Sequence, residues 1–176
     1  LARAAGSRVQ LLDCDVEEPN DRLFLRGRSR GAQVVSVPVP CVDESLCDGC
    51  GECGRFCRFH AIVAVKGPPL VFPELCHGCG GCALVCPRGA IREVPRRIGV
   101  VEVLEAGDVT LVEGRLDVGA ALVPPLVRAV KARLVGDRPA ILDAPPGRSC
   151  AVVETLRGAD AVVLVTEPTP FGLHDL

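Results

Sequence analysis

The chain has 176 residues, a formal net charge of −2, and no methionine, tryptophan or tyrosine. That balance excludes the basic, aromatic-rich surface of a nucleic-acid binder, and no apolar run approaches the ~20 residues of a membrane span. Eleven cysteines are the outlying number; no secretory signal is visible, so they point away from a disulfide framework and toward a reducing, cytoplasmic setting.

In chain order, Val9–Asp15 (VQLLDCD) is a continuous apolar run ending in acid, the pattern of a buried parallel strand. Asp13, Asp15 and Asn20 give D-x-D-x4-N at its end. Such acids can be ordinary polar strand termini. They gain interest because ligands of open α/β sheets bind outside the carboxyl ends of the strands.

The cysteines follow. Cys47, Cys50, Cys53 and Cys57, then Cys76, Cys79, Cys82 and Cys86, repeat the spacing C-x2-C-x2-C-x3-C, the second run followed at once by Pro87. This is the bacterial two-cluster ferredoxin spacing, in which the fourth cysteine of each run ligates the other run's cluster. The expected ligand sets are therefore Cys47, Cys50, Cys53 and Cys86 for one [4Fe–4S] cluster, and Cys76, Cys79, Cys82 and Cys57 for the other. Three thiolates two residues apart let one tight loop reach three corners of a cubane. Gly49, Gly51, Gly78, Gly80 and Gly81 make room for that loop and free its N–H groups to point at sulfide. The fourth cysteine sits on a short helical turn facing the partner cube. Zinc takes ligands as two pairs a dozen or more residues apart and fits this layout poorly. His77 reads as a loop residue or hydrogen-bond donor, and Cys14, Cys41 and Cys150 as buried or incidental thiols.

The two runs lie in an internal repeat with a 29-residue offset, from Leu46 matching Leu75 to Val65 matching Val94. Each fourth cysteine precedes a short apolar strand, Ala61–Val65 and Ala90–Val94. Arg58 stands where the second copy has Pro87, placing a positive charge near one cluster. The module occupies residues 41–97, with segments 1–40 and 98–176 outside it.

Beyond the module, Val100–Leu104 and Thr110–Glu113 read as further extended pieces. Pro124–Leu134 (PPLVRAVKARL) has apolar residues at helical spacing, opened by proline and followed by Gly136. Pro139–Asp143 (PAILD) is a second apolar run ending in acid, continued as APPG to Gly147. Ser149–Arg157 reads as a helix and Ala161–Thr166 (AVVLVT) as a further buried strand. Strands alternating with helices predict an α/β domain with a parallel sheet.

The motifs LLDCDVEEPN, FPELCHGCGGCALVCP, LVEGRL, ILDAPPG and LVTEPTPFGLHDL together resemble the ferredoxin-containing MinD/ParA-type (deviant Walker) P-loop ATPases. The resemblance implies a partial P-loop NTPase parallel sheet, in segments 1–40 and 98–176, with an inserted two-[4Fe–4S] bacterial ferredoxin-like domain. It implies that Asp15 orients the attacking water and that Asp13 is a second acid near Mg²⁺. It further implies that Asn20 lies in the switch I loop, that Asp143 holds Mg²⁺ through a water, and that the Gly147 N–H senses the γ-phosphate; Arg148 then stands where that family has a small hydroxyl residue. No G-x4-G-K-[ST] loop occurs, and Lys66 and Lys131 are the only lysines. Leu1–Arg8 reads as the tail of a helix that follows such a loop, roughly 20 residues upstream for a first helix of ordinary length. The chain is thus expected to be an internal fragment, with Mg-ATP bound by the longer parent. Two functions follow: electron transfer or cluster handling gated by ATP, or a non-catalytic ferredoxin-type electron carrier with the α/β part as scaffold. The expected partner is a redox or cluster-recipient protein, with a homo- or heterodimer around nucleotide and no nucleic acid.

Overall fold

Five consecutive buried residues, VQLLD, make a strand buried along its whole length. The computed structural model describes residues 8–175, with side chains to residue 172. Its strands are β1 (Val9–Asp13), β2 (Arg28–Val42), β3 (Ile62–Val63), β4 (Leu70–Val71), β5 (Ile91–Ala106), β6 (Val109–Leu116) and β7 (Ala140–Asp143). Its helices are α1 (Glu52–Phe56), α2 (Gly81–Leu84), α3 (Pro124–Lys131), α4 (Cys150–Leu156) and α5 (Pro170–Asp175). The reading of Leu1–Arg8 as a helix tail falls, up to residue 7, outside the described residues.

One sheet runs β2-β5-β6-β1-β7, and β3 and β4 form a separate antiparallel pair. β1 is parallel to both neighbours, with Asp13 opposite Glu113 on one side and Asp143 on the other. The sheet is nevertheless mixed, which corrects the expectation of a parallel sheet, because β5 and β6 are antiparallel. The cause is local: only Gly107 and Asp108 separate the two strands, with Gly107 at φ 66°. A two-residue loop can only reverse direction, whereas a parallel return needs a crossover. Val100–Leu104 and Thr110–Glu113 are the arms of this hairpin, and Ala90–Val94 runs into the same 16-residue strand.

Two further expectations change. β2, 15 residues long, has no counterpart in the sequence reading because its first half is charged and its second carries Pro38 and Pro40. β2 is an edge strand, where proline's missing N–H costs no ladder bond. Conversely, Ala161–Thr166 is not a strand; the run lies exposed, with Val165 at 88%. Apolar composition makes a strand only where an edge pairs with it and a layer covers it, and these residues have neither among those described.

The chain divides into two compact units. A sheet unit comprises residues up to Val35, Gly99–Val118, and those from Leu122 onward; a cysteine unit comprises Ser36–Ile98 and Gly119–Ala121. The changeovers at 35/36 and 98/99 fall inside β2 and β5 rather than in linkers.

In the sheet unit one face of the sheet gathers Val9, Leu11, Leu25, Leu104, Val109 and Leu111. α3 buries Leu126, Val127 and Val130, and Gly114 leaves room for it, since a Cβ there would meet Val16 and Val130 within 2.6 Å. The buried Gln10 is satisfied at both ends: its Nε2 donates to the Arg133 carbonyl at 2.7 Å and its Oε1 accepts from the Val135 N–H at 3.0 Å. Lys131 donates to the carbonyls of Glu154, Thr155 and Arg157, supplying the cation that the C-terminus of α4 favours. The core of the cysteine unit is Cys53, Ile62 and Ile91, with Val42, Val71 and four further cysteines or alanines packed on it.

Candidate metal centre

Each cysteine run begins as a loop and ends as a helical turn. Gly49, Gly51, Gly78 and Gly80 have φ between 66° and 80°, a region that only glycine enters without strain. Gly51 and Gly80 then cap α1 and α2. Gly81 is needed for a different reason: a Cβ there would stand 2.0 Å from Cε1 of Phe56.

The helical turns sort the cysteines. One cavity is lined by Cys47, Cys50, Cys53 and, from the other run, Cys86, with Ala64, Pro69, Ala90 and Ile91 as apolar wall. A second, of about 290 Å³, is lined by Cys76, Cys79, Cys82 and, again from the other run, Cys57. α1 thus presents Cys53 to one cavity and its C-cap Cys57 to the other, and α2 does the reverse with Cys82 and Cys86. The Gly78 N–H donates to Cys76 Sγ at 3.4 Å and the Ala90 N–H to Cys86 Sγ at 3.3 Å, bonds of the kind that tune bound iron–sulfur centres. As thiols, Cys82 is pushed up to about 11 and Cys53 is also raised, both chiefly by burial, so iron binding there must displace protons.

None of the eleven cysteines is in a disulfide. Among the described residues no three His, Cys, Asp or Glu side chains converge on a single ion. Four soft sulfurs spread around an apolar-walled cavity are instead the donor set of a 4Fe–4S cubane, so the residues fit that group. His77 lines the second cavity and stacks on Phe59, ring centroids 3.6 Å apart and planes within 11°. Cys14 is fully buried, while Cys41 is half-buried and Cys150 exposed.

A second constellation lies at the carboxyl ends of β1 and β7 in the sheet unit, level with Glu113 of β6. Asp13, 1% exposed, accepts the backbone N–H groups of Asn20 (3.1 Å) and Asp21 (3.2 Å) on Oδ2. Its carboxyl is pushed up to about 7 by burial, with Asp21, Glu113 and Asp143 adding to the rise and the Asp21 N–H opposing it. Asp21 is pushed up to about 6, again first by burial. Asp143 is raised by partial burial and then by Asp15. Asp15 lies two residues past the end of β1, Asn20 precedes the 3-10 turn Asp21–Leu23, and Gly147 has φ 81° in the loop after β7.

The sequence reading missed four members of this group. Glu113, buried beside Asp13, and Glu102, opposite Glu113 across the hairpin, are bridged by Arg22 at 2.6 and 2.7 Å. Asp21 completes the acids. The acid after the apolar run in TLVEG was a usable signal for Glu113, although β6 runs on to Leu116; Glu102 and Arg22 become neighbours only through the β5–β6 hairpin.

Residues 46–91 match the family model of the 4Fe-4S dicluster domain. This segment is an iron–sulfur, ferredoxin-type region, the kind that serves as an electron carrier. Two proteins of Methanocaldococcus jannaschii are similar over nearly the whole chain. Uncharacterized protein MJ0578 is 30% identical over 170 residues, 95% of this chain and 59% of its own length. Uncharacterized protein MJ0579 is 31% identical over 177 residues, 96% of this chain and 61% of its own. The chain spans about three fifths of the length of these curated relatives. No helix among the described residues is long and apolar enough to cross a membrane.

Proposed function

We propose that the chain is the electron-handling part of a longer protein and holds two [4Fe–4S] clusters, one on Cys47, Cys50, Cys53 and Cys86, the other on Cys57, Cys76, Cys79 and Cys82. The observation that carries this is the crossing of ligands: the fourth cysteine of each run lines the other run's cavity. When bound, such clusters supply one-electron transfer. The chain's own residues fix the sulfurs, exclude water with Ile91 and Ala90 on one side, and offer N–H donors to Cys76 and Cys86. Its partner is then a redox protein or a cluster recipient. Anaerobic reconstitution tests the count. About eight iron atoms and eight sulfides per chain are expected; about four would reject the second cluster.

A second reading is favoured by one specific observation, the alignment of Asp13 with Asp143 at the ends of adjacent parallel strands. In this reading the longer protein binds Mg-ATP. Asp143 and Asp13 serve Mg²⁺, Asp15 orients water, and Asn20 and Gly147 belong to the loops that respond to the γ-phosphate, in a dimer around nucleotide. Phosphoryl transfer is mostly positioning and charge neutralisation, which suits acids at strand ends. EPR of the dithionite-reduced full-length protein, with and without Mg-ATP, decides it. A changed cluster signal together with ATP hydrolysis supports coupling; neither change would leave a non-catalytic electron carrier with the α/β part as scaffold or docking surface.

A further inference from the structure

The 29-residue offset of the repeat pairs more than the cysteines: Asp48 corresponds to His77, and Arg88 to Phe59. Each first member directly follows the first cysteine of its run, and each second member lies two residues past a fourth cysteine. In both copies the equivalent residues meet. Arg88 Nε donates to Asp48 Oδ2 at 2.8 Å, and both line the first cavity. Phe59 and His77 stack at 3.6 Å, and both line the second. We infer that these are corresponding latches, each tying the first ligand of one cluster to the fourth ligand that the other run contributes, and that they differ in chemistry, an ion pair at one site and an aromatic stack at the other.

The placement gives each latch a specific task. Three ligands of each set lie on one loop and hold their spacing without help. The fourth arrives from another part of the chain, so the set stays together only as well as the two runs do. A side-chain contact beside the first and fourth ligands joins those runs at the rim of the cavity. Asp48 and Arg88 are open to water, with side-chain exposures of 38% and 61%, and an exposed ion pair is screened by salt. A stack of two ring faces, held by close contact rather than by an ion pair, is not screened in that way. The two clusters should therefore be retained by forces that respond differently to ionic strength.

This rests on the two-cluster reading above. The test uses the reconstituted chain, held anaerobically with 2,2′-bipyridyl, at low salt and at about 1 M salt, where the Debye length falls to about 3 Å. Iron release is followed by absorbance, and alkylation of Cys50 against Cys79, read by mass spectrometry, reports which site has opened. Asp48→Asn should speed opening at Cys50 by between about 1.5- and 5-fold, the equivalent of one exposed pair, and leave Cys79 unchanged. Phe59→Ala should do the converse. High salt should reproduce the effect of Asp48→Asn in the parent. Asp48→His combined with Arg88→Phe, which carries the stack to the first site, should restore slow opening there and remove its salt dependence. Opening of both sites together in every variant, or no change in either, overturns the latches while leaving two clusters standing. A chain that loads only one cluster overturns both readings.

Discussion

Among the described residues His60 is the one non-glycine with a clearly left-handed backbone, φ 51°. The repeat explains why. Its counterpart is Gly89, at φ 59°, and both close the turn after a fourth cysteine: the His60 N–H donates to the Cys57 carbonyl and the Gly89 N–H to the Cys86 carbonyl. The turn demands this conformation in both copies; one copy meets it with glycine and the other bears a Cβ penalty of ~1–2 kcal/mol. His60→Gly should therefore stabilise the chain by about 0.5–1 kcal/mol, the penalty less glycine's extra freedom when unfolded. It should raise the temperature at which the reconstituted protein loses its visible absorbance. Gly89→Val should lower that temperature. An unchanged or lower value for His60→Gly would show that the turn is not strained. The glycines of the cysteine loops were readable from spacing because a tight turn between closely spaced thiols needs the left-handed backbone that they adopt. The strain at His60 leaves no mark in composition and emerges only from the backbone angle beside that of its repeat partner.

Elements were readable where one local rule dominated. α4 was bounded by its Ser149 cap, whose Oγ accepts the Val152 N–H at 3.5 Å. α3 was bounded at its start by its prolines, but it ends at Lys131 rather than Leu134. β1 and β7 were marked by apolar runs ending in aspartate. Elements fixed by their neighbours were not readable: β2 depends on its edge position, and Ala161–Thr166 has the composition of a strand without the partner that would make it one. The packing of α1 against α2 belongs to this second kind. The repeat places Glu52 opposite Gly81 and Phe56 opposite Val85, so the two turns are not interchangeable: Phe56 fills the space that Gly81 leaves. Gly81→Ala should destabilise the loaded protein by about 1–3 kcal/mol, the usual penalty of overpacking, because its Cβ meets the ring. Phe56→Val in the same chain should recover most of that loss. A double-mutant cycle by thermal unfolding measures it. Additive single effects would show that the ring swings away freely and that the close approach has no energetic consequence.

For the molecule as a whole, the acids at the strand ends set the response to pH. Arg22 neutralises Glu113 and Glu102, an arrangement whose loss would strand a buried carboxylate. Asp13 has backbone N–H donors on Oδ2, and its carboxyl is held at about 7, against an ordinary 3.8. Asp21 is raised to about 6. The sign follows from proton counting. Below about 4 each group is protonated whether the chain is folded or not, and the difference vanishes. Between about 4 and 7 the unfolded chain releases protons that the folded chain retains, so the contribution of these acids to stability falls as pH rises through that window. Carboxylates with lowered values act oppositely: Glu102, held down first by Ser29 and then by Arg22, and Asp137, held down by Arg138, contribute above their unfolded range and lose that contribution in acid. The sheet unit should thus be most stable on the acid side of neutrality. Asp13→Asn isolates the cause, since an amide oxygen can still accept from Asn20 and Asp21 but carries no charge to bury. In chelated buffer the variant should match the parent near pH 4. At pH 8 it should exceed the parent by at least ~1.4 kcal/mol, the free energy of a tenfold change in proton affinity. Thermal unfolding across that range measures both. A variant that kept the parent's full decline between pH 5 and 8 would move the origin of the pH response away from Asp13, and a variant less stable at every pH would mean that the charge itself is held favourably by its two N–H donors.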